Sequence, residues 1–391
     1  MRVVASAARR KPLPALLAEV TGAVRDQLDG QAPDLAFVFF SNHFEDDADQ
    51  ISQGLRDTVR PKLLAGCSAE GVIGPEHEHE EEPAISLWAA TFPAGTHCQP
   101  FQFLQSDLEA AQTPDEYRKL FGKLPGGVTP TLLTLADPFS FDITGLLQGL
   151  NDHLPGWAVC GGMASGAERP GQSSLLLNDE VQREGAVGAV LWGNLQIDTV
   201  VSQGCRPIGT PFVITKAERN IIWQLGGKAP LSLLNQIFQD ADTADKKLME
   251  QGVFLGRAIK EGKAEFKRGD FLIRNLLQAD QATGAIAVAD LIRVGVTVQF
   301  HVRDAVTADE DLQALVRPLT ERPPAGALLF SCNGRGSRMF PAKDHDVGVL
   351  RQALPSLPLA GFFCAGELGP VGGKNFIHGH TASLAFFRPV S

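Results

Sequence analysis

Apolar residues near the start of the chain recur at helical spacing. Leu16, Leu17, Val20, Val24 and Leu28 share one face, and Gly30 stands where a helix stop belongs. Residues 1–30 thus read as an N-terminal helical element. The period then changes. Residues 35–40 are a short apolar run, hence a buried strand, and Ile51, Leu55 and Val59 mark an amphipathic helix. A second short strand at 63–65 runs into a turn at 66–74, and another strand follows at 84–90. The same order returns from residue 131. A strand at 131–135 precedes a helix with Ile143, Leu146, Leu147 and Leu150, which Asp142 can cap. A strand at 157–159 enters the turn 160–166, and strands follow at 175–177 and 187–192. A third copy has strands at 327–331 and 359–363, a helix with Val347, Leu350 and Leu354 capped by Asp344, a turn at 364–369 and a closing strand at 381–387.

Glycine marks each copy at one spacing. Gly66 and Gly71, Gly161 and Gly166, and Gly361 and Gly366 are each five apart, just after an apolar strand. The shared order predicts an internal repeat of strand–helix–strand–turn–strand units. The expected class is α/β, with α+β as the alternative, the units forming two mixed-sheet halves. An insertion from about Thr210 to Pro324 separates the second and third copies. Within it, 221–225 and 231–238 are expected as helices, and 271–275, 285–289 and 294–303 as strands. Thr307 with Glu310, like Thr113 with Glu116, has the spacing of a capping box.

Composition narrows the function classes. The 391 residues suffice for two or three domains, and 44% hydrophobic with 20% charged residues suits sizeable cores. A net charge of −10 disfavours nucleic acid and anionic membrane as partners. The six cysteines include no C-x-x-C pair, which argues against a zinc ribbon or a thioredoxin-type site and suits reduced thiols in a cytosol. No apolar run has the length of a signal-peptide core or a membrane span, so a cytoplasmic location is expected.

No nucleophile elbow, phosphate loop, zinc helix or dinucleotide fingerprint is present, so a non-enzymatic protein is expected. The strongest local signal is the turn holding Cys332, Asn333, Gly334 and Arg335. Its glycines let backbone N–H groups approach a ligand, and Arg335 can grip a carboxylate with two donors. The second signal runs from Gly361 to His380, where Gly366, Glu367, Asn375 and His378 are candidate binding groups. Glu367 can meet a ligand amine or Arg335. Arg206, Arg274 and Arg303 stand near strand ends as ligand-facing cations or structural anchors. The tract Glu76 to Glu82 alternates Glu and His but is expected to be a solvated loop; no metal is expected there.

With these residues in view, the chain resembles the FIST family. The matching segments are 66–74, 204–209, 221–230, 301–305 with Asp311 and Leu312, 330–336, and 361–369 with Asn375 and His378. Their co-linear order is the specific part; Lys228-Ala229-Pro230 departs locally from the family's usual order. The resemblance implies a FIST N-terminal domain over 31–209 and a FIST C-terminal domain over 210–391. It further implies a sensory protein of signal transduction that binds a small ligand, an amino acid or related metabolite, and passes its signal to a separate protein. Three alternatives stay open: a haem-binding nitric oxide sensor with an axial ligand among His301, His378, His380 or a cysteine, a protein-binding scaffold, and an enzyme using Cys332 or Cys364.

Overall fold

Each repeat builds a parallel strand pair and closes it with an antiparallel third strand. In the computed structural model, which describes residues 1–390, Leu35–Ser41 lies parallel to Leu64–Ala69, with helix Ala48–Thr58 as the crossover and Ala84–Thr91 antiparallel to the first strand. The second repeat pairs Thr131–Ala136 with Ala158–Met163 across helix Ile143–His153, and Ala186–Gly193 closes it. The third pairs Gly326–Cys332 with Leu359–Cys364 across helix His345–Ala353, and Thr381–Pro389 closes it. One outer strand completes each set: Arg2–Arg9, Thr96–Phe103 and Leu195–Gln203 respectively. The runs are apolar on both faces because both faces are covered.

The spaced glycines have a common cause. Gly66 sits opposite Val38, Gly161 opposite Thr134 and Gly361 opposite Leu329, at the same register position of the three parallel pairs. A Cβ at these sites would lie 2.2, 1.9 and 1.8 Å from the carbonyl oxygen of that partner, so no side chain fits. After the second strand each chain segment leaves its own sheet. The hairpin of Gly71–Ile73 and Glu78–Glu80 joins the third repeat's sheet, with Ile73 opposite Gly361. The hairpin of Leu175–Leu177 and Glu180–Gln182 joins the first, with Leu175 opposite Cys67. That of Glu367–Val371 and Lys374–His378 joins the second, with Glu367 opposite Gly162. The exchange is cyclic, and each sheet has six strands.

The three sheets turn their inner faces to one core. Phe39 stacks on Phe362 at 5.0 Å, and Trp88 packs on Phe387 at 4.7 Å. The outer faces carry the helices: Leu16, Val20, Ile51 and Leu55 cover the first sheet, Leu146 and Leu150 the second, Val347 and Leu350 the third. Contacts group residues 1–202, 312–377 and the strand from Thr381 into one unit.

Residues 203–311, with 378–380, form a second unit. It is a closed barrel in the order Cys205–Glu218, Ile221–Leu225, Ile286–Val288, Phe271–Ala279, Val253–Ala258 and Thr297–Arg303, with helices Pro230–Asp240 and Thr243–Gln251. The insertion thus exists, running from 203 to 311. The strand Cys205–Glu218 runs across position 209/210, and contacts group residues 312–377 with residues 1–202.

Several local expectations change. Residues 2–9 form a strand, and the helix covers only Leu13–Gln27, because the short apolar run before Pro12 finds a partner in Ala84–Thr91. Residues 221–225 are a strand, as their Ile-Ile-Trp content favours once a barrel partner exists. The helix expected to start at Thr307 starts at Ala305, and Asp304 accepts the Val306 and Thr307 amides. The tract 76–82 is no solvated loop: Glu78, His79 and Glu82 are buried, and Glu82 gathers His79, Arg9 and Arg10. The boxes at Thr113–Glu116 and the cap at Asp142 form as expected. Among the described residues no helix is long and apolar enough to cross a membrane.

Candidate functional site

The strand Gly326–Cys332 alternates its side chains. Leu328 and Phe330 face the central core, while Ser331 faces the helix that follows. Beyond Cys332 the chain turns sharply. The Arg335 amide donates to the Cys332 carbonyl (2.8 Å), the Gly334 amide to Cys332 Sγ (3.4 Å), and the Asn333 amide to the Cys364 carbonyl (2.9 Å). Gly336 then adopts φ +56°, against the Glu80 carboxylate, where a Cβ would be 2.7 Å from Oε2. This turn sends the Arg335 side chain inward, and it is fully buried.

Inside, Arg335 meets Asp346 through two parallel bonds, Nε to Oδ2 at 2.9 Å and Nη2 to Oδ1 at 2.6 Å. The carboxylate grip expected for a ligand is therefore made to the protein's own helix. Ser331 Oγ donates to Asp346 Oδ2 (2.9 Å), and His345 Nδ1 lies 2.9 Å from Oδ1. Burial raises the Asp346 pKa, but Arg335 and His345 outweigh it and hold the carboxyl well below its usual range. The exchanged hairpin adds Glu78, whose Oε1 accepts the Val347 amide at 3.0 Å at the start of the same helix. Burial, reinforced by Asp346, pushes Glu78 up to about 8. Asp344, expected as a helix cap, instead has φ +58° and accepts the Glu78 amide at 2.7 Å.

Glu367 enters from the third repeat's hairpin. Its Oε2 accepts both the amide (3.1 Å) and the hydroxyl (2.8 Å) of Thr381. Burial pushes it up to about 8, opposed by Thr381, by Arg335 and by a hydrogen bond with Cys332. Three buried atoms of this cluster have no protein hydrogen-bond partner: Glu78 Oε2, Arg335 Nη1 and Glu367 Oε1. Such groups are costly unless something pairs with them.

Two spaces adjoin the cluster. One, of about 460 Å³, is lined by Arg9, Arg10 and Lys343 and by Glu80, Glu81 and Asp344, with Glu78 also in its wall. The other holds about 10 Å³, room for one water-sized molecule, between Glu70, Gly71, Asn333, Arg338 and Phe363. The smaller lies where the third repeat's parallel strands end, the place where open α/β sheets take ligands, and the larger lies beside the exchanged hairpin and the turn after Arg335.

Cys332, Asn333, Gly334, Arg335, Gly366 and Glu367 are thus brought together by the paired strand ends. Other candidates are elsewhere. Asn375 is a clamp: its Oδ1 accepts the Val159 amide (2.8 Å) and its Nδ2 donates to the Trp157 carbonyl (2.8 Å) and to Asn151 Oδ1 (3.3 Å). Its amide capacity is spent on fastening the hairpin to the second sheet. His378 is buried and groups with the barrel unit. Arg206 pairs with Asp304 and Asp245, and Arg274 shares Asp290 (3.1 Å) with Arg257 (2.7 Å), so both anchor the barrel. His301 packs on Phe271 at 5.0 Å with Gly256 at its other side, and His380 on Phe254 at 4.3 Å.

Sequence reasoning missed Asp346 and Glu78. An acid in the first turn of a predicted helix, eleven residues past a glycine-flanked arginine, was the available signal for the first. For Glu78 the partner is 269 residues away and no local signal exists.

Comparison with known proteins gives the family. Residues 34–228 match the FIST N domain and residues 230–370 the FIST C domain. An uncharacterized protein of Mycobacterium tuberculosis is 41% identical over 373 residues, 95% of each chain. An uncharacterized protein of Mycobacterium bovis is 40% identical over 374 residues, 94% of each chain. This chain therefore belongs to the FIST family, whose domains are associated with sensory signal transduction.

Proposed function

We propose that the chain is a non-enzymatic cytoplasmic sensor that binds a small zwitterion, an amino acid or related metabolite, and reports it to a separate signalling protein. One observation carries the reading: the 460 Å³ cleft presents cations (Arg9, Arg10, Lys343) and carboxylates (Glu80, Glu81) together, with the unpartnered Glu78 Oε2 beside them. A ligand carboxylate takes the arginines, and its ammonium takes the acids. Glu78 also holds the Val347 amide, so occupancy reaches the helix that carries Asp346 and the Arg335 pair. A ligand that prefers one arrangement of that helix shifts the population toward it.

The test is a thermal-shift screen of the purified protein against the free L-amino acids, followed by calorimetry of each hit. A binder at a hundred times its Kd stabilises by about 2.7 kcal/mol, well within range of the assay. The Arg9→Ala/Arg10→Ala protein should lose the shift, read against its own unliganded melting temperature, which falls because both arginines also pair with the buried Glu82. No hit in the panel, or a hit whose affinity survives the double substitution, would sink the proposal.

A further inference from the structure

Cys332 and Cys364 are opposite one another in the parallel pair that ends at the site. Neighbouring strands run about 4.8 Å apart, inside the roughly 4.4–6.8 Å that a disulfide spans between Cα atoms. Both residues continue the alternation that turns Leu328, Phe330, Ala360 and Phe362 to the central core, so their side chains share one face. Cys364 is sealed in that core, whereas Cys332 retains 7% exposure at the start of the turn whose next residue, Asn333, lines the water-sized pocket.

The surroundings of Cys332 are those of a reactive thiol and not of a small hydrophobe. The Gly334 amide points at its sulfur from 3.4 Å. The buried Arg335 guanidinium, itself paired with Asp346, acts on it as a cation, and Glu367 hydrogen-bonds to it while Glu367 Oε1 has no protein partner. A thiol in a cationic, partly accessible setting with a nearby proton acceptor is the pattern of an oxidisable cysteine. The contrast is Cys98, more exposed than Cys332, where the charge that acts on the thiol is the carboxylate of Asp34.

We infer that Cys332 and Cys364 form a peroxide-sensitive dithiol, with Glu367 carrying the proton. The Cys332 thiolate attacks one oxygen of hydrogen peroxide. The S–O bond forms, the O–O bond breaks, and the departing hydroxide takes a proton from Glu367 to leave as water. The Cys364 sulfur, its proton passed to Glu367, then attacks the Cys332 sulfenic acid. The S–S bond forms, the S–O bond breaks, and a second water leaves. Two thiols are oxidised by two electrons and one peroxide becomes two waters.

The test uses the full-length protein, hydrogen peroxide and mass spectrometry. The expected result is a loss of about two mass units with peptides holding residues 332 and 364 cross-linked, Cys332 reacting at least about tenfold faster than Cys98. In Cys364→Ser the reaction should stop at a sulfenic acid on Cys332 that dimedone traps, and in Cys332→Ser the cross-link should vanish. Oxidation at Cys98 first, a cross-link to Cys67 or Cys160 instead, or no mass change at peroxide levels that oxidise a free-thiol peptide would each overturn the assignment. Because the wild-type cross-link is read directly, a variant that fails to fold does not shield the idea.

Discussion

The glycine opposite Leu329 offers the sharpest test of the repeat. In Gly361→Ala the new Cβ would lie 1.8 Å from the Leu329 carbonyl oxygen and 2.7 Å from its carbon. Carbon and oxygen normally approach to about 3.3–3.6 Å, so the strands must part by roughly 1.5 Å. A ladder bond of about 2.9 Å does not survive that displacement. Two or three bonds at about 1 kcal/mol each, with an overpacking cost of about 1–3 kcal/mol, give a loss of roughly 3–6 kcal/mol. That is a large part of the ~5–15 kcal/mol that holds a typical protein folded. Gly161→Ala and Gly66→Ala should follow in that order, their clashes being 1.9 and 2.2 Å. The control is Gly348→Ala in the adjacent helix, where nothing lies within 4 Å of the added carbon and a gain of about 0.5–1 kcal/mol is expected. Urea unfolding followed by circular dichroism reads all four. A Gly361→Ala protein within about 1 kcal/mol of wild type, at an unchanged m-value, would refute the close-approach argument.

Two further outcomes are expected. Asp346→Asn leaves Arg335 buried without its counter-charge and should cost about 3–5 kcal/mol in the same assay; a loss below about 1 kcal/mol would mean that the pair is not buried as described. Glu78 and Glu367 are pushed up from 4.5 to about 8, so the native state holds more protons than the unfolded chain across that window. Stability should therefore fall as pH rises from about 5 to 8, and Glu367→Gln, neutral throughout, should flatten the melting-temperature profile.

Much of the repeat was legible because its signals are local. Apolar runs of five or six residues, helices with 3.6-residue periodicity and the glycine spacing all lie within stretches of about thirty residues, and the structure supplies a cause for each. The hairpin exchange was not legible. Residues 72 and 73 pair with 362 and 361, and nothing in 71–80 differs from a hairpin that returns to its own sheet. Barrel closure hid for the same reason: Ile221 to Leu225 has a helix-compatible pattern, and only its partners on either side, residues 214–218 and Ile286 with Ala287, settle the matter. At the site, the turn from Cys332 to Arg335 was found from glycine and charge. Its partner was mistaken for a ligand because Asp346 belongs to the next element.

The cyclic exchange also sets a timetable for synthesis. Glu78 leaves the ribosome 269 residues before the Val347 amide that it accepts. At about 5–20 residues per second that interval is roughly 13–54 s. Throughout it the hairpin at 71–80 has an unpaired edge, and in its early part the first repeat also lacks the strands that Leu175 to Gln182 will bring. Unpaired edges invite pairing with other chains. The nascent protein therefore carries an edge open to mispairing until residues 359–364 are made, and a chain stopped before residue 359 is expected to keep that edge open.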